Sequence, residues 1–364
     1  MDFTSALYLG MRHGSHELHP WSQFSTGRPA ALESTRKGRE VARELARLQK
    51  CEAGVVSPST LHLFWDLFNV LARTEKRMAI YVDSGLYPIG WWGIERIGAR
   101  GIPVYRFREH DSLALGNLLK RTLISRIRPV VVTDGLRPGR WGPAPLKAYL
   151  ECLRASGGYL IVDDTQALGI LGRRPTKERP YGVGGGGSLE WHDIEGPDIL
   201  TVSSLAKGFG VPMAVLGGSA EMIQRFHSHS DTLVHCSPPS VAVFHAALHA
   251  LRLNRTVGKN RRHRLLGLVG YFRQRLKEAG ISTTGGPFPV QTIAGISGHT
   301  ALTIHQRLLK QGVRTVLHRG LGQGGPRLSW LITARHRLAE LDQAVESLVN
   351  EFRSLYTGLG EVAL

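Results

Sequence analysis

Apolar residues along the chain follow two rhythms. Short unbroken apolar runs near 79–83, 102–107, 129–134, 159–163, 198–203 and 213–217 read as buried strands, and stretches with helical spacing separate most of them. Over 34–49, for example, Val41, Ala42, Leu45 and Leu48 recur at helical spacing among Arg, Lys and Glu, which predicts an amphipathic helix. Strands that are apolar on both faces and alternate with helices predict an α/β fold built on a mostly parallel central sheet flanked by helices. Ligands in such sheets bind beyond the carboxyl ends of the strands. The residues that close each run, above all Asp163 and the segment leading to Lys207, therefore matter most.

A long helical region over 240–279 follows the last of these runs. Beyond it, the segments 290–296 and 312–316, a helix over 299–311 and the pattern over 327–352 predict a smaller α+β C-terminal unit. The expected division is an N-terminal segment 1–50, a large domain 51–255 and a small domain 256–364. The stretch 181–188 holds too much glycine for a helix or strand. It also lacks the strand-loop-helix context of a dinucleotide fingerprint, so a mobile loop near the site entrance is expected.

The chemistry starts from two strings. Lys207 lies in Thr201-Val202-Ser203-Ser204-Leu205-Ala206-Lys207-Gly208-Phe209-Gly210, and about 40 residues earlier an apolar run closes on Asp163-Asp164-Thr165-Gln166. A lysine among small and hydroxyl residues leaves room for a flat ring, and its amine can form a Schiff base with an aldehyde. A carboxylate at a strand end can hold a pyridine nitrogen protonated. Together they look like a pyridoxal phosphate site. The turn Val56-Ser57-Pro58-Ser59-Thr60 precedes a helix-like segment over 61–72, so Ser59, Thr60 and free N–H groups could hold a phosphate at a helix N-terminus; simple N-capping is the other reading.

The motif order resembles the α-oxoamine synthase family of fold-type I pyridoxal phosphate enzymes over about residues 5–356. It runs Tyr8-Leu9-Gly10, Thr133-Asp134-Gly135, Ala144-Pro145-Leu146, Asp163-Asp164, Lys207-Gly208-Phe209-Gly210, Ser237-Pro238-Pro239, Arg327-Leu328-Ser329 and Ala334-Arg335-His336. The resemblance implies pyridoxal 5'-phosphate as cofactor and a decarboxylative condensation of an α-amino acid with an acyl thioester, giving an α-amino ketone. It makes Lys207 the Schiff-base lysine and mover of the substrate Cα proton, Asp163 the partner of the pyridine nitrogen, and Ser204 a phosphate contact; Asp164 supports the turn. Ser237 falls in a segment that reaches the neighbouring subunit's site, which implies a homodimer with shared active sites.

Three positions depart from the family pattern. Tyr87, four residues after Asp83, stands where the family stacks a histidine on the ring, and a phenol can stack as well. Gln166 stands where the strand motif ends in histidine; its amide can donate a hydrogen bond to the cofactor's phenolate oxygen but has no titrating proton. For the substrate carboxylate the nearest candidates are His318 and Arg319, and Arg319 is preferred because its fork can make two hydrogen bonds. Gln166 keeps an alternative open: transamination, or condensation with a non-thioester electrophile in secondary metabolism. A non-catalytic descendant of the fold is a third reading, against which the intact Lys207 and Asp163 speak.

Composition changes this picture little. The 364 residues, 42% hydrophobic and 21% charged, exceed one compact domain. No apolar stretch has the roughly 18 residues of a membrane span, and Met1-Asp2-Phe3-Thr4 does not open a signal peptide. Cys51, Cys152 and Cys236 lack metal-ligand spacing, so a reducing cytoplasm and no metal are expected. The formal charge of +17 fits a coenzyme A thioester or an acidic acyl carrier protein, or an arginine-rich composition with no partner implied. The strongest basic run, Lys259-Asn260-Arg261-Arg262-His263-Arg264, has no interleaved aromatics or reader motif, which argues against nucleic acid. It could equally be a solvated helix face.

Overall fold

The apolar runs become strands of one seven-stranded sheet. The computed structural model describes residues 1–32, 35–75, 77–123, 127–319 and 325–360. The chain divides into two units, one of Met11–Arg137 with Gly142–Lys259 and one of Met1–Gly10 with Pro138–Trp141 and Asn260–Leu364.

In the larger unit, α1 (Arg36–Leu48), β1 (Ala53–Ser57), α2 (Thr60–Thr74), β2 (Met78–Asp83), α3 (Pro88–Gly98), β3 (Val104–Phe107), α4 (Ser112–Leu123) and β4 (Arg128–Asp134) come first. They are followed by α5 (Leu146–Leu153), β5 (Tyr159–Asp163), α6 (Ser188–His192), β6 (Ile199–Ser204), β7 (Ala214–Gly218), α7 (Ala220–His229), α8 (Asp231–His235) and α9 (Val241–Thr256). The sheet order is β1-β7-β6-β5-β4-β2-β3. From β3 to β6 the neighbours are parallel, and β7 lies antiparallel to both β6 and β1. All six expected strands form, with ends within two residues of the apolar runs. β1 was not foreseen, because Ala53-Gly54-Val55-Val56-Ser57 is short and contains glycine. The helix expected over 34–49 forms as α1, where the Thr35 hydroxyl accepts from the Gly38 N–H as N-cap; residue 34 lies outside the described residues.

Alternate strand residues enter separate cores. Ile80, Val82, Val130, Val132 and Ile161 pack with Phe64, Leu67 and Phe68 of α2, while Tyr81, Val131, Leu160 and Val162 pack with Leu115, Tyr149 and Leu153. Covering both faces is what made the strands read as unbroken apolar runs. The reversed strand sets the site. An antiparallel neighbour needs no crossover, so the segment 205–213 between β6 and β7 turns back at the carboxyl edge and keeps Lys207 there.

One expectation is corrected here, and another is made more detailed. The glycine-rich stretch 181–188 is packed rather than free: Gly185, Gly186 and Gly187 are buried, and Gly187 donates to the Leu171 carbonyl at 2.8 Å. Gly187 has φ +93°, and a Cβ there would lie 1.8 Å from Asp164 Oδ2, so the glycine allows a close backbone approach. The helical region 240–279 is two helices, since Val257, at φ −120° and ψ −4°, leaves the helical path after α9.

The smaller unit contains most of α10 (Gly258–Glu278), then β8 (Thr283–Thr284), β9 (Val290–Ile293), α11 (Gly298–Lys310), β10 (Val316–Arg319), β11 (Pro326–Leu331) and α12 (Leu338–Gly360), with antiparallel sheet order β10-β11-β9-β8. The strand expected over 312–316 starts only at Val316, because Gly312 turns the chain at φ +76° and Arg314 bridges to Asp2 instead. Two arginines of the basic run bond backbone carbonyls within this unit, while Lys259, Asn260, His263 and Arg264 are exposed. Arg261 donates to the carbonyls of Leu9 (2.9 Å) and Gly10 (3.0 Å), and Arg264 to those of Ala334 (2.7 Å) and His336 (2.9 Å). Arg335 adds a bond to the Gly10 carbonyl at 2.9 Å, and His336 stacks on Phe3 with centroids 4.5 Å apart. The motifs around Gly10 and Arg335, more than 300 residues apart, thus form one junction. Among the described residues no helix is long and apolar enough to cross a membrane.

Candidate active site

Three strands of the parallel sheet, adjacent in order, end on an aspartate: Asp83 on β2, Asp134 on β4 and Asp163 on β5. Their surroundings give them different properties. Asp83 is buried and accepts from the Tyr149 hydroxyl (3.0 Å), the Thr133 hydroxyl (3.2 Å) and the backbone N–H groups of Gly85 (2.8 Å) and His110 (3.2 Å). So many donors make it a structural bracket between strands.

Asp163 is also buried. Burial pushes its carboxyl above the usual range, while hydrogen bonding from Thr165 and the charge of Lys207 pull it back. Thr165 links the two motifs, since its N–H donates to Asp163 Oδ1 at 3.0 Å and its hydroxyl accepts from the Ser204 N–H at 3.0 Å. Asp134 is the register partner of Asp163 across β4 and β5 and accepts from the Tyr87 N–H at 3.2 Å. Burial, and then the charge of Asp163, hold its carboxyl well above the usual range. Asp164 is fully buried, accepts from the Ser188 N–H at 2.9 Å and is pushed by burial up to about 6. It pins the glycine-rich stretch to the end of β5.

Lys207 sits in the turn between β6 and β7. Burial drives its amine toward the neutral form, opposed by the charges of Asp163 and Asp134. Its Nζ lies 5.7 Å from the centroid of the Tyr87 ring, and that side of the site is open because Tyr87 is 52% exposed. The turn is held firmly: Leu205 donates to the Met213 carbonyl at 2.8 Å, and Phe209 is fully buried. A Cβ on Gly208 would lie 2.5 Å from the Leu168 carbonyl, so the lysine turn presses against the turn after β5. Gln166 is half-buried in that second turn.

The antiparallel strands bring Ser57 and Ser204 to the same edge, since both pair with Ala214. Just beyond Ser57, α2 begins with Ser59 as N-cap and Thr60 as its buried first residue. The Ser59 hydroxyl bonds His62 Nδ1 at 2.8 Å rather than a backbone N–H, and the buried Ser57 hydroxyl has no hydrogen-bond partner. A helix N-terminus without a side-chain cap, beside an orphaned hydroxyl, suits an anion. Pro58 removes one donor. Together the set offers an amine for an aldehyde, a carboxyl for a ring nitrogen, an anion cradle and an aromatic face, and these are the complementary groups that pyridoxal phosphate needs.

The remaining expected residues lie elsewhere on the chain. Ser237 is exposed between α8 and α9. Arg319 is exposed at the end of β10 in the smaller unit, next to residues 320–324, which lie outside the described residues. Sequence reasoning quoted Asp134 within a motif but gave it no role; the signal was that β4, like β5, closes its apolar run on an aspartate.

Known proteins resemble this chain in sequence and in fold. The profile of the family described as aminotransferase class I and II matches residues 141–348. The 8-amino-7-oxononanoate synthase of Nitrosococcus oceani is 29% identical over 250 residues, 67% of this chain and 62% of that protein. The protein of the same name in Geobacter sulfurreducens is 28% identical over 312 residues, 79% of this chain and 77% of that one. The chain thus spans less than two thirds of the Nitrosococcus protein. Serine palmitoyltransferase of Sphingomonas wittichii superposes with a TM-score of 0.79 at 17% identity, covering 97% of this chain and 87% of that one. For 8-amino-7-oxononanoate synthase of Francisella tularensis the TM-score is 0.73 at 17% identity, with 98% of each chain covered. At such identities the likeness is one of fold, the fold-type I arrangement.

Proposed function

Because the chain belongs to the aminotransferase class I and II family, we propose that it is a pyridoxal phosphate-dependent acyltransferase of the α-oxoamine synthase type, joining an α-amino acid to an acyl thioester with loss of carbon dioxide. The observation that carries this reading is the convergence of Lys207, Asp163 and the uncapped N-terminus of α2 on one edge of the sheet.

When bound, pyridoxal phosphate supplies an electron sink for the carbon next to the substrate nitrogen. Lys207 holds its aldehyde carbon and, once displaced by the amino acid, takes the substrate Cα proton; burial favours the neutral amine this requires. Asp163 keeps the ring nitrogen protonated. Ser59, Thr60, Ser204 and the first N–H groups of α2 hold the phosphate, and Tyr87 covers one face of the ring. Gln166 donates its amide hydrogen to the phenolate oxygen and moves no proton. Ser237 serves the neighbouring subunit's site in a homodimer, and Arg319 binds the substrate carboxylate. The thioester is carried by coenzyme A or by an acyl carrier protein, and the protein works in a reducing cytoplasm, where its free cysteines stay thiols.

The test is product analysis. Supplied with cofactor, amino acids and acyl thioesters, the protein should form an α-amino ketone and release carbon dioxide in equal amounts. Gln166 favours a second reading, transamination or condensation with a non-thioester electrophile, in which the amino acid is consumed without thioester cleavage.

A further inference from the structure

We infer that His13 is a positioning residue for Lys207: its Nε2–H holds the carbonyl of Phe209, two residues beyond the lysine, and His249 of α9 orients the ring that does so. This rests on the reading of Lys207 as the cofactor lysine. All four residues belong to the larger unit.

His13 Nε2 lies 2.8 Å from the Phe209 carbonyl oxygen, and its Nδ1 lies 3.1 Å from Nδ1 of His249. A carbonyl only accepts, so the first bond forms only when Nε2 carries the hydrogen. One proton then lies between the two Nδ1 atoms. If His13 is neutral, His249 donates that proton, and if His13 is protonated, His249 accepts it. In both arrangements Nε2 keeps its hydrogen and faces Phe209. The two rings meet edge to face, with centroids 5.2 Å apart and planes at 80°. His249 is buried in α9 and is the fixed member of the pair. The chain after His13 is held as well, since the Gly14 N–H donates to Glu17 Oε2 at 2.9 Å.

The bond acts where the lysine turn is softest. The base of the turn is closed by Leu205 N–H to the Met213 carbonyl at 2.8 Å and by Val211 N–H to the Leu205 carbonyl at 3.1 Å. At its tip Phe209 stands between Gly208 and Gly210, the latter at φ +67°, and glycine leaves the backbone on either side permissive. The buried Phe209 ring anchors the side chain, but the plane of its carbonyl is set by a hydrogen bond. A donor from outside the turn keeps that plane from swinging, and with it the backbone from which Lys207 extends. Misplacing a reacting group by about 1 Å costs about a hundredfold in rate, so a lysine that must meet the substrate Cα proton depends on such a brace.

The experiment compares wild type with His13→Ala, His13→Phe and His13→Gln. Glutamine keeps an N–H for Phe209, alanine removes it, and phenylalanine removes it while keeping a ring against His249, which serves if alanine unfolds the chain. In the cofactor-free proteins, amide hydrogen exchange over 205–213, read by mass spectrometry, should be about fivefold faster in the Ala and Phe variants and near wild type in the Gln variant. Loaded with pyridoxal phosphate, each protein is then given glycine and a panel of L-amino acids in deuterium oxide, and loss of the Cα proton is followed by NMR. For the amino acid that wild type exchanges fastest, the Ala and Phe variants should be at least about tenfold slower at saturation, with the cofactor Kd within about twofold of wild type. The Gln variant should recover most of the rate. A folded Ala or Phe variant with wild-type exchange at saturation would overturn the proposal, as would a Gln variant as slow as they are, or a lowered Tm with both kinds of exchange unchanged. If wild type exchanges no amino acid and borohydride fixes no cofactor on Lys207, the reading beneath the proposal fails, yet amide exchange over 205–213 still decides whether His13 holds this turn.

Discussion

Replacing Asp164 by asparagine isolates the effect of one buried carboxyl. Asp164 has no exposed surface, and only Oδ2 is bonded, to the Ser188 N–H; Oδ1 and the nearby Ser188 hydroxyl both lack partners. Burial, with the charge of Asp163 adding to it, raises its pKa from 3.8 to about 6. A shift of about 2 units corresponds to about 3 kcal/mol. The native state holds this proton more tightly than the unfolded chain. The stabilisation is therefore complete below about pH 4, declines as the pH rises through about 6 and is absent above that. Asparagine stays neutral, keeps the acceptor for Ser188 N–H and offers its amide hydrogens to the Ser188 hydroxyl. The stability of Asp164→Asn relative to wild type should thus rise by about 3 kcal/mol between pH 4 and pH 7. Urea unfolding of the cofactor-free protein, followed by circular dichroism at each pH, reads this as a growing gap between the two midpoints. A constant gap across that range would refute the assignment of a perturbed carboxyl at 164.

Other substitutions test other joints. Gly208→Ala places a Cβ 2.5 Å from the Leu168 carbonyl, and the forced shift of the lysine turn should weaken cofactor binding at least about tenfold in an absorbance titration, at a stability cost of about 1–3 kcal/mol. Arg264→Ala removes charged hydrogen bonds to two carbonyls and should lower stability by about 2 kcal/mol, read as a lower Tm, without changing the absorbance of the bound cofactor. Ser204→Ala should raise the Kd for pyridoxal phosphate roughly fivefold while leaving that for pyridoxal nearly unchanged. Asp163→Asn should retain the cofactor on Lys207 but lose most turnover, because an amide cannot hold the ring nitrogen protonated.

Strand positions were legible because a sheet buried on both faces leaves unbroken apolar runs, each closing on a residue that the fold delivers to its edge. Asp163 and Lys207 could be placed there from the runs alone. β1 was not legible, since three of its five residues are small and its burial comes from pairing with β7 rather than from its own pattern. Packing of the 181–188 stretch was hidden for a similar reason: glycine records only the absence of a side chain, and the neighbour it admits, Asp164, is remote in sequence. In the basic run at 259–264, Lys259, Asn260, His263 and Arg264 are exposed as a solvated face would be, while Arg261 and Arg264 also reach backbone carbonyls about 250 and 70 residues away, which the local pattern does not record. Asp134 went unassigned because one string cannot reveal that β4 and β5 would be neighbours in register.

The most direct test of the central claim is the absorbance spectrum of the purified protein supplied with pyridoxal phosphate, followed by borohydride reduction and peptide mapping. The account predicts a visible band that reduction abolishes, with the cofactor fixed on Lys207. Absence of the band, or label spread over surface lysines, would mean that the fold is kept without its chemistry.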